Sequence, residues 1–236
     1  MYEHRIKRLM DFFISLMTLV LLFPLFVFLL VLSAFFMKGN PFFFQWRPGK
    51  KDEQGRERLF RIIKLRTMTN ERDEEGNLLP DAQRLTPYGR WIRSTSLDEL
   101  FQIVNVLKGD MALIGPRPQL VRDMVFRTEK ERHRHDVRPG ISGLAQVRGR
   151  NAISWEGKFA ADLAYIENVS FLGDLKIIWE TIGKVFTREN ISMEGMDTAE
   201  DYGDYLLRTG RISRSMYDEK QREAQAWIKA AESDDV

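Results

Sequence analysis

Two acids stand side by side at Asp98 and Glu99, and two arginines follow in proline-bounded turns, Arg117 in GPRP and Arg138 in RPG. That company suits chemistry on phosphate. A guanidinium grips phosphate in fixed bidentate geometry. Glycines let the backbone approach a ligand closely, and Mg2+ takes one or two carboxylates plus phosphate oxygens. The acids also admit a purely structural role. Ser96 is a good N-cap and Glu99 lies three residues on, the spacing of a capping box. This predicts a helix from Ser96 to Lys108, stopped by Gly109, with Leu97, Leu100, Phe101, Val104 and Leu107 as its apolar face. Acids in a first helical turn satisfy the dipole in any case.

The element that must place these groups is an apolar run, Phe12 to Met37, without a charge inside it. About 26 residues at about 1.5 Å each reach roughly 39 Å, enough for a hydrocarbon core of about 30 Å. Pro24 sits in its middle and predicts a kink there. Both flanks are basic, with Arg5, Lys7 and Arg8 before the run and Lys38, Arg47, Lys50 and Lys51 after it. Basic flanks favour the cytoplasmic side. A helix that enters, breaks at Pro24 and returns satisfies both ends, with Ser15 or Thr18 answering a freed carbonyl. The plainer alternative is one tilted spanning helix.

The 236 residues leave room for one further domain of ordinary size. A formal charge of +2 gives no electrostatic footprint for nucleic acid. Cysteine is absent, which excludes disulfides, a thiol nucleophile and Cys-ligated metal. The organisation reads as a membrane element over 1–40, a catalytic domain over 41–195 and a polar tail over 196–236. Residues 41–70 carry two short strand patterns around the turn KKDEQGRE. Residues 70–84 read as a charged loop and 109–150 as irregular. Helices are predicted near 154–168, 170–187 and 214–232. The fold class is α/β, mainly α, with a short β-hairpin and amphipathic helices.

Other residues carry two readings each. Lys64 and Arg66 on the KLRTM strand face either the site or solvent. Arg93 reaches a phosphate or is a surface charge, and Asp110 is placed to orient an arginine. Asp162 and Asp174, single acids on predicted helices, read as surface groups. His133 and His135 do not share one helix face, so no metal site is read there. In FLGDLKIIWETIGKVF, Phe171, Leu172, Leu175, Ile178, Trp179 and Ile182 recur at three- and four-residue steps, with Asp174 on the other side. That stripe lies either in a membrane interface, with Trp179 at the headgroups, or on the domain core. The terminal segment SMYDEKQREAQAWIKAAE is helix-prone and is placed to pair with a second copy as a homodimer.

KRLMDF, QWRPGK, FRIIKLRTM, TSLDEL, NVLKGDMALIGPRP, VRPGISGLAQVRGRNAISW and FLGDLKI occur in that order. Over about residues 1–195 the chain resembles the small monotopic phosphoglycosyl transferases, the bacterial sugar transferase family. The wording near residue 150 is most similar to members that transfer a diacetylated bacillosamine phosphate. The resemblance implies a re-entrant anchor in the bacterial inner (cytoplasmic) membrane with the catalytic domain on the cytoplasmic face. It implies transfer of a sugar-1-phosphate from a UDP-sugar to polyprenyl (undecaprenyl) phosphate, with release of UMP, as the first step of glycoconjugate assembly. By that likeness Asp98 attacks the β-phosphorus and holds Mg2+, in a ping-pong route through a phosphosugar-aspartyl intermediate. Glu99 assists with metal or proton. Lys64, Arg93, Arg117 and Arg138 bind substrate phosphate, and Gln146, Arg148 and Arg150 hold the nucleotide. The chain departs from the pattern at three places. Phe23 precedes Pro24 where relatives often have Ser-Pro, Phe101 replaces a usual proline, and Arg148 stands where Asn is common. A rival reading is a membrane-anchored lipid-binding scaffold without catalysis.

Overall fold

A computed structural model describes Tyr2 and residues 6–37, 39–149, 153–187 and 200–234, with side chains omitted at 185–187. Helices α1 (Lys7–Leu21) and α2 (Phe23–Met37) form the apolar run and are bent by 69° to one another. Among the described residues no single helix is long and apolar enough to cross a membrane. The break falls at Leu22, two residues ahead of the expected Pro24. Pro24 lies instead in the first turn of α2, where its missing N–H is an orphan anyway. Leu22 N–H donates back to the Thr18 carbonyl at 2.9 Å. The hydroxyls do not serve the break as expected. Thr18 Oγ1 donates to Ile14 O at 2.8 Å, and Ser15 Oγ is buried without a partner.

The two arms are inverted relative to a soluble helix. Phe13, Val20, Leu21, Phe23, Val31 and Phe35 are exposed, while α1 buries Lys7, Asp11 and Ser15 at four-residue steps. A large apolar outer surface over a polar inner seam is what a lipid-facing element shows.

Strands β1 (Phe42–Pro48) and β2 (Leu59–Leu65) form the expected antiparallel hairpin, with Phe43 opposite Lys64. Short helices α3 (Asp81–Arg84) and α4 (Pro87–Ser94) follow. Sequence reasoning missed α4, although Thr86 caps it through Gly89 N–H at 2.9 Å and Pro87 opens its first turn. The predicted helix from Ser96 is a 3-10 turn, Leu97–Gln102, running into α5 (Ile103–Lys108). Gly109, at φ +97°, stops it as expected.

The stretch predicted to be irregular contains a parallel pair, β3 (Ala112–Ile114) with β4 (Gly140–Ser142). It also holds α6 (Val121–Met124), α7 (Glu129–Arg132), a 3-10 turn at His133–Asp136 and α8 (Leu144–Arg148). Glycine makes the close strand pairing feasible: a Cβ on Gly140 would stand 2.1 Å from Gly115 N.

Helices α9 (Trp155–Glu167) and α10 (Phe171–Thr187) match expectation in extent. On α10, Leu172 and Trp179 are 73% and 77% exposed, with Phe171, Leu175 and Ile182 beside them. The apolar stripe therefore faces outward, and the domain core is contacted through Ile177 and Asp174.

Both acids read as surface groups are in fact buried. Asp174 accepts from Lys7 Nζ at 2.6 Å, Tyr2 Oη at 2.8 Å and Tyr165 Oη at 2.8 Å, so it staples α1, α9 and α10 together. Asp162 pairs with Arg134 at 2.7 Å.

The tail forms α11 (Tyr202–Arg208) and α12 (Arg214–Asp234). Ala224, Trp227 and Ile228 of α12 pack on Val121, Met124 and Val125 of the same chain. The apolar face assigned to a second copy thus has an intramolecular use.

Candidate functional site

Asp98 and Glu99 sit in the first turn of the 3-10 segment, behind Ser96. Ser96 is left-handed at φ 56° and makes no side-chain cap. The capping box is therefore absent, and Glu99 does different work. Its Oε1 accepts from Lys64 Nζ at 2.7 Å and from Arg117 Nη2 at 2.6 Å, and its Oε2 accepts from Arg117 Nη1 at 3.2 Å. The clamp leaves Glu99 ionised far below the usual carboxylate range, with Arg117 and Lys64 outweighing burial. Burial pushes Lys64 down, and the Glu99 charge holds Arg117 up.

Asp98 stands in the opposite state. Among the described residues it has no hydrogen bond and no ion pair. Burial, then the neighbouring Glu99 charge, push it up to about 6, against the pull of Lys64, Arg93 and Arg117. Two adjacent carboxyls thus differ in role: one is committed to cations, the other is free and half-buried beside them.

Three devices position this pair. Asn105, wholly buried on α5, accepts Ile63 N–H at 3.0 Å and donates to Arg61 O at 2.8 Å, like an extra strand against β2. That contact sets Lys64 opposite Glu99. Arg134, held by Asp162, donates to the Arg117 carbonyl at 2.7 Å and fixes the GPRP turn. Phe101 packs edge-on to Phe26 at 4.9 Å and Phe42 at 5.6 Å, docking the turn that carries Asp98 and Glu99 on α2. Sequence reasoning missed Asn105 and Arg134; neither belongs to a motif that advertises long-range contact.

The other expected residues scatter. Arg93 faces Asp98 electrostatically and donates through Nε to Thr67 Oγ1 at 3.0 Å. Arg138 lies at the far end of α5, donating to Gly109 O at 2.8 Å, while Arg8 donates to Val106 O and Leu107 O. These two arginines cap the carbonyl end of α5. Gln146 donates to Ile141 O at 3.2 Å, and Arg148 is exposed at the end of α8. Neither touches Asp98, Glu99 or Arg117 in a described contact. Arg150 lies outside the described residues. Asp110 accepts from Asn105 rather than from an arginine, and Arg66 reaches Phe42 O. His133 pairs with Asp136, and His135 is buried beside Glu57.

Among the described residues no group of three or more His, Asp or Glu is placed to hold a metal by itself. A cation at this site fits only in the Mg2+ manner, with one protein carboxylate and the remaining ligands from phosphate and water. Asp98 would be that carboxylate, since both Glu99 oxygens already accept from cations.

A family model described as bacterial sugar transferase matches residues 2–188. The uncharacterized sugar transferase EpsL of Bacillus subtilis is 52% identical over 165 residues, 70% of this chain and 79% of its own length. The UDP-glucose:undecaprenyl-phosphate glucose-1-phosphate transferase of Caulobacter vibrioides is 37% identical over 200 residues, 78% of this chain and 71% of its own. The UDP-N-acetylgalactosamine-undecaprenyl-phosphate N-acetylgalactosaminephosphotransferase of Aeromonas hydrophila is 39% identical over 191 residues, 77% of this chain and 44% of its own. These names print glucose and N-acetylgalactosamine, not the diacetylated bacillosamine that the wording near residue 150 suggests. The chain is an enzyme that belongs to the bacterial sugar transferase family.

Proposed function

We propose that the chain transfers a sugar-1-phosphate from a UDP-sugar to undecaprenyl phosphate at the cytoplasmic face of the bacterial inner membrane, and so initiates a surface glycan. The observation that carries this is the contrast between Glu99, clamped by Lys64 and Arg117, and Asp98, which has no partner among the described residues beside the same cations. The Asp98 carboxylate forms a bond to the sugar-side phosphorus. The bond from that phosphorus to the bridging oxygen breaks, and its electron pair leaves on the phosphate of UMP. The phosphate of the lipid then attacks the same phosphorus, and the Asp98 oxygen leaves as carboxylate. Splitting the displacement this way gives a ping-pong route. Lys64, Arg93 and Arg117 offset the charge that opposes approach of one anion to another. Asp98, together with substrate phosphate oxygens, would hold Mg2+, which would supply further neutralisation.

The exposed apolar arms of α1 and α2 and the outward stripe of α10 support placement of this site at a lipid surface, where a polyprenyl substrate resides. A non-catalytic scaffold leaves the Glu99 clamp without work. The test is release of UMP from a panel of UDP-sugars in the presence of undecaprenyl phosphate and Mg2+. The expected result is release with at least one donor and none from Asp98→Asn. Near-normal turnover by that variant removes Asp98 as nucleophile.

A further inference from the structure

Two cations beside Arg117 have no carboxylate within ion-pair distance among the described residues. Arg47, on β1, donates through Nη1 to Pro118 O at 3.3 Å and through Nη2 to Gln45 Oε1 at 2.5 Å, and its buried Nε has no partner. Its guanidinium is thereby pinned to the residue that follows Arg117. Lys158, on α9, rests its ammonium over the Trp155 ring at 4.4 Å, and that ammonium makes no hydrogen bond among the described residues. It lies one turn before Asp162, the acid that holds Arg134 against the Arg117 carbonyl. Both side chains are only half-buried. Asp123 and Asp201 also act on Arg47, from beyond ion-pair distance.

The electrostatic neighbours give the order of these groups. Asp98 feels Lys64, Arg93 and Arg117. Arg47 feels Arg117, Asp123, Asp201 and Glu99, and Lys158 feels Arg117, Asp123 and Asp162. The contacts agree: Lys64 and Arg117 meet on Glu99, next to Asp98, Arg47 is held at Pro118, the residue after Arg117, and Lys158 stands one turn from Asp162, whose partner Arg134 holds the Arg117 carbonyl. Cations gathered this closely, two of them with acids only beyond ion-pair distance, repel one another until an anion joins them. A diphosphate is two phosphates joined by one oxygen. With its sugar-side phosphorus at Asp98, its other phosphate falls at Arg117 and beyond.

We propose that Arg47 and Lys158 hold the nucleotide-side phosphate of the donor and the nucleoside monophosphate that departs from it. This rests on the donor reading above. When the bridging bond breaks, the leaving phosphate gains one negative charge, and these two groups stand where that charge appears.

The full chain in detergent micelles is titrated with UMP and, separately, with uridine, in Mg2+ buffer, by calorimetry. Arg47→Gln is expected to weaken UMP binding about 10- to 100-fold, the range for a lost charge-assisted contact, with uridine unchanged. Arg47→Lys recovers part of the loss because it keeps charge without the fork. Lys158→Met is expected to weaken UMP about 10-fold, and it removes no hydrogen bond whose loss could unfold the protein. Undiminished UMP binding in both variants overturns the proposal. An equal loss for uridine overturns it too, because a phosphate subsite has no hold on the bare nucleoside. Failure of the unvaried chain to bind either ligand refutes the donor reading itself, and this subsite with it.

Discussion

Replacing the free acid should make the protein more stable while making it inactive. Burial and the neighbouring Glu99 charge raise Asp98 from 3.8 to about 6. At about 1.36 kcal/mol per unit, that displacement costs the folded state about 3 kcal/mol wherever Asp98 is ionised. The cost has a definite pH window. Below pH 3.8 the group is protonated in both folded and unfolded chains, so it contributes nothing. Between 3.8 and about 6 the unfolded chain loses its proton first, and stability falls. Above about 6 the penalty is complete and constant. Asn keeps the shape and removes the charge, but its amide still has to be buried, so Asp98→Asn should recover about 2 kcal/mol. For a chain of this size that raises the melting temperature by about 4–8 °C. The assay is thermal unfolding of both proteins in detergent with EDTA, at pH 8 and at pH 4. A gain at pH 8 that vanishes at pH 4 is expected. A loss of stability at pH 8 refutes the reasoning, because it means that the carboxylate is held by favourable contacts and is not poised to react.

The same displacement predicts the acid limb of turnover. The rate should fall about tenfold per unit below pH 6 as Asp98 takes up its proton, and a rate flat to pH 5 speaks against a nucleophile at this position. Phe101→Ala should cost about 3–5 kcal/mol by chemical denaturation and Phe101→Leu less than about half of that, since Phe101 fills the junction with Phe26 and Phe42. EDTA should stop UMP release and Mg2+ restore it, whereas a rate indifferent to chelation removes the metal. The chain has no cysteine, so single cysteines at Tyr2 and Asn40 report topology directly; an impermeant reagent should label both from the same side, and labelling from opposite sides refutes re-entry.

What the residues made legible follows from range. The hairpin, α9, α10, α12 and the Gly109 stop rest on local periodicity and turn chemistry, and the structure has them where expected. The adjacent acids with Arg117 were legible because proline fixes the arginine and the acids stand together in the chain. The capping box was misread because Ser96 turns left-handed, which no spacing rule reveals. The contact of Arg138 with the end of α5 was not legible, because a guanidinium in a proline turn suits a helix carbonyl end as well as a phosphate. Asp162 and Asp174 looked like surface acids because their partners, Arg134 and Lys7, lie 28 and 167 residues away.

The membrane element is part of the site's framework rather than a tether for it. Arg8 caps the carbonyl end of α5, Asp11 accepts the N–H of Leu113 in β3, and Phe26 seats Phe101 in the segment that carries Asp98 and Glu99. The catalytic turn is thus gripped from α1 at one end and from α2 at the other. The 69° bend at Leu22 lies between the two grips, with Arg8 on α1 before it and Phe26 on α2 after it. The departure at Phe101 fits this arrangement, for it gives the turn an aromatic contact with the arm that brings it to the bilayer. Under the proposed transfer to a lipid phosphate, these contacts would hold the segment that carries Asp98 and Glu99 against the exposed apolar arms.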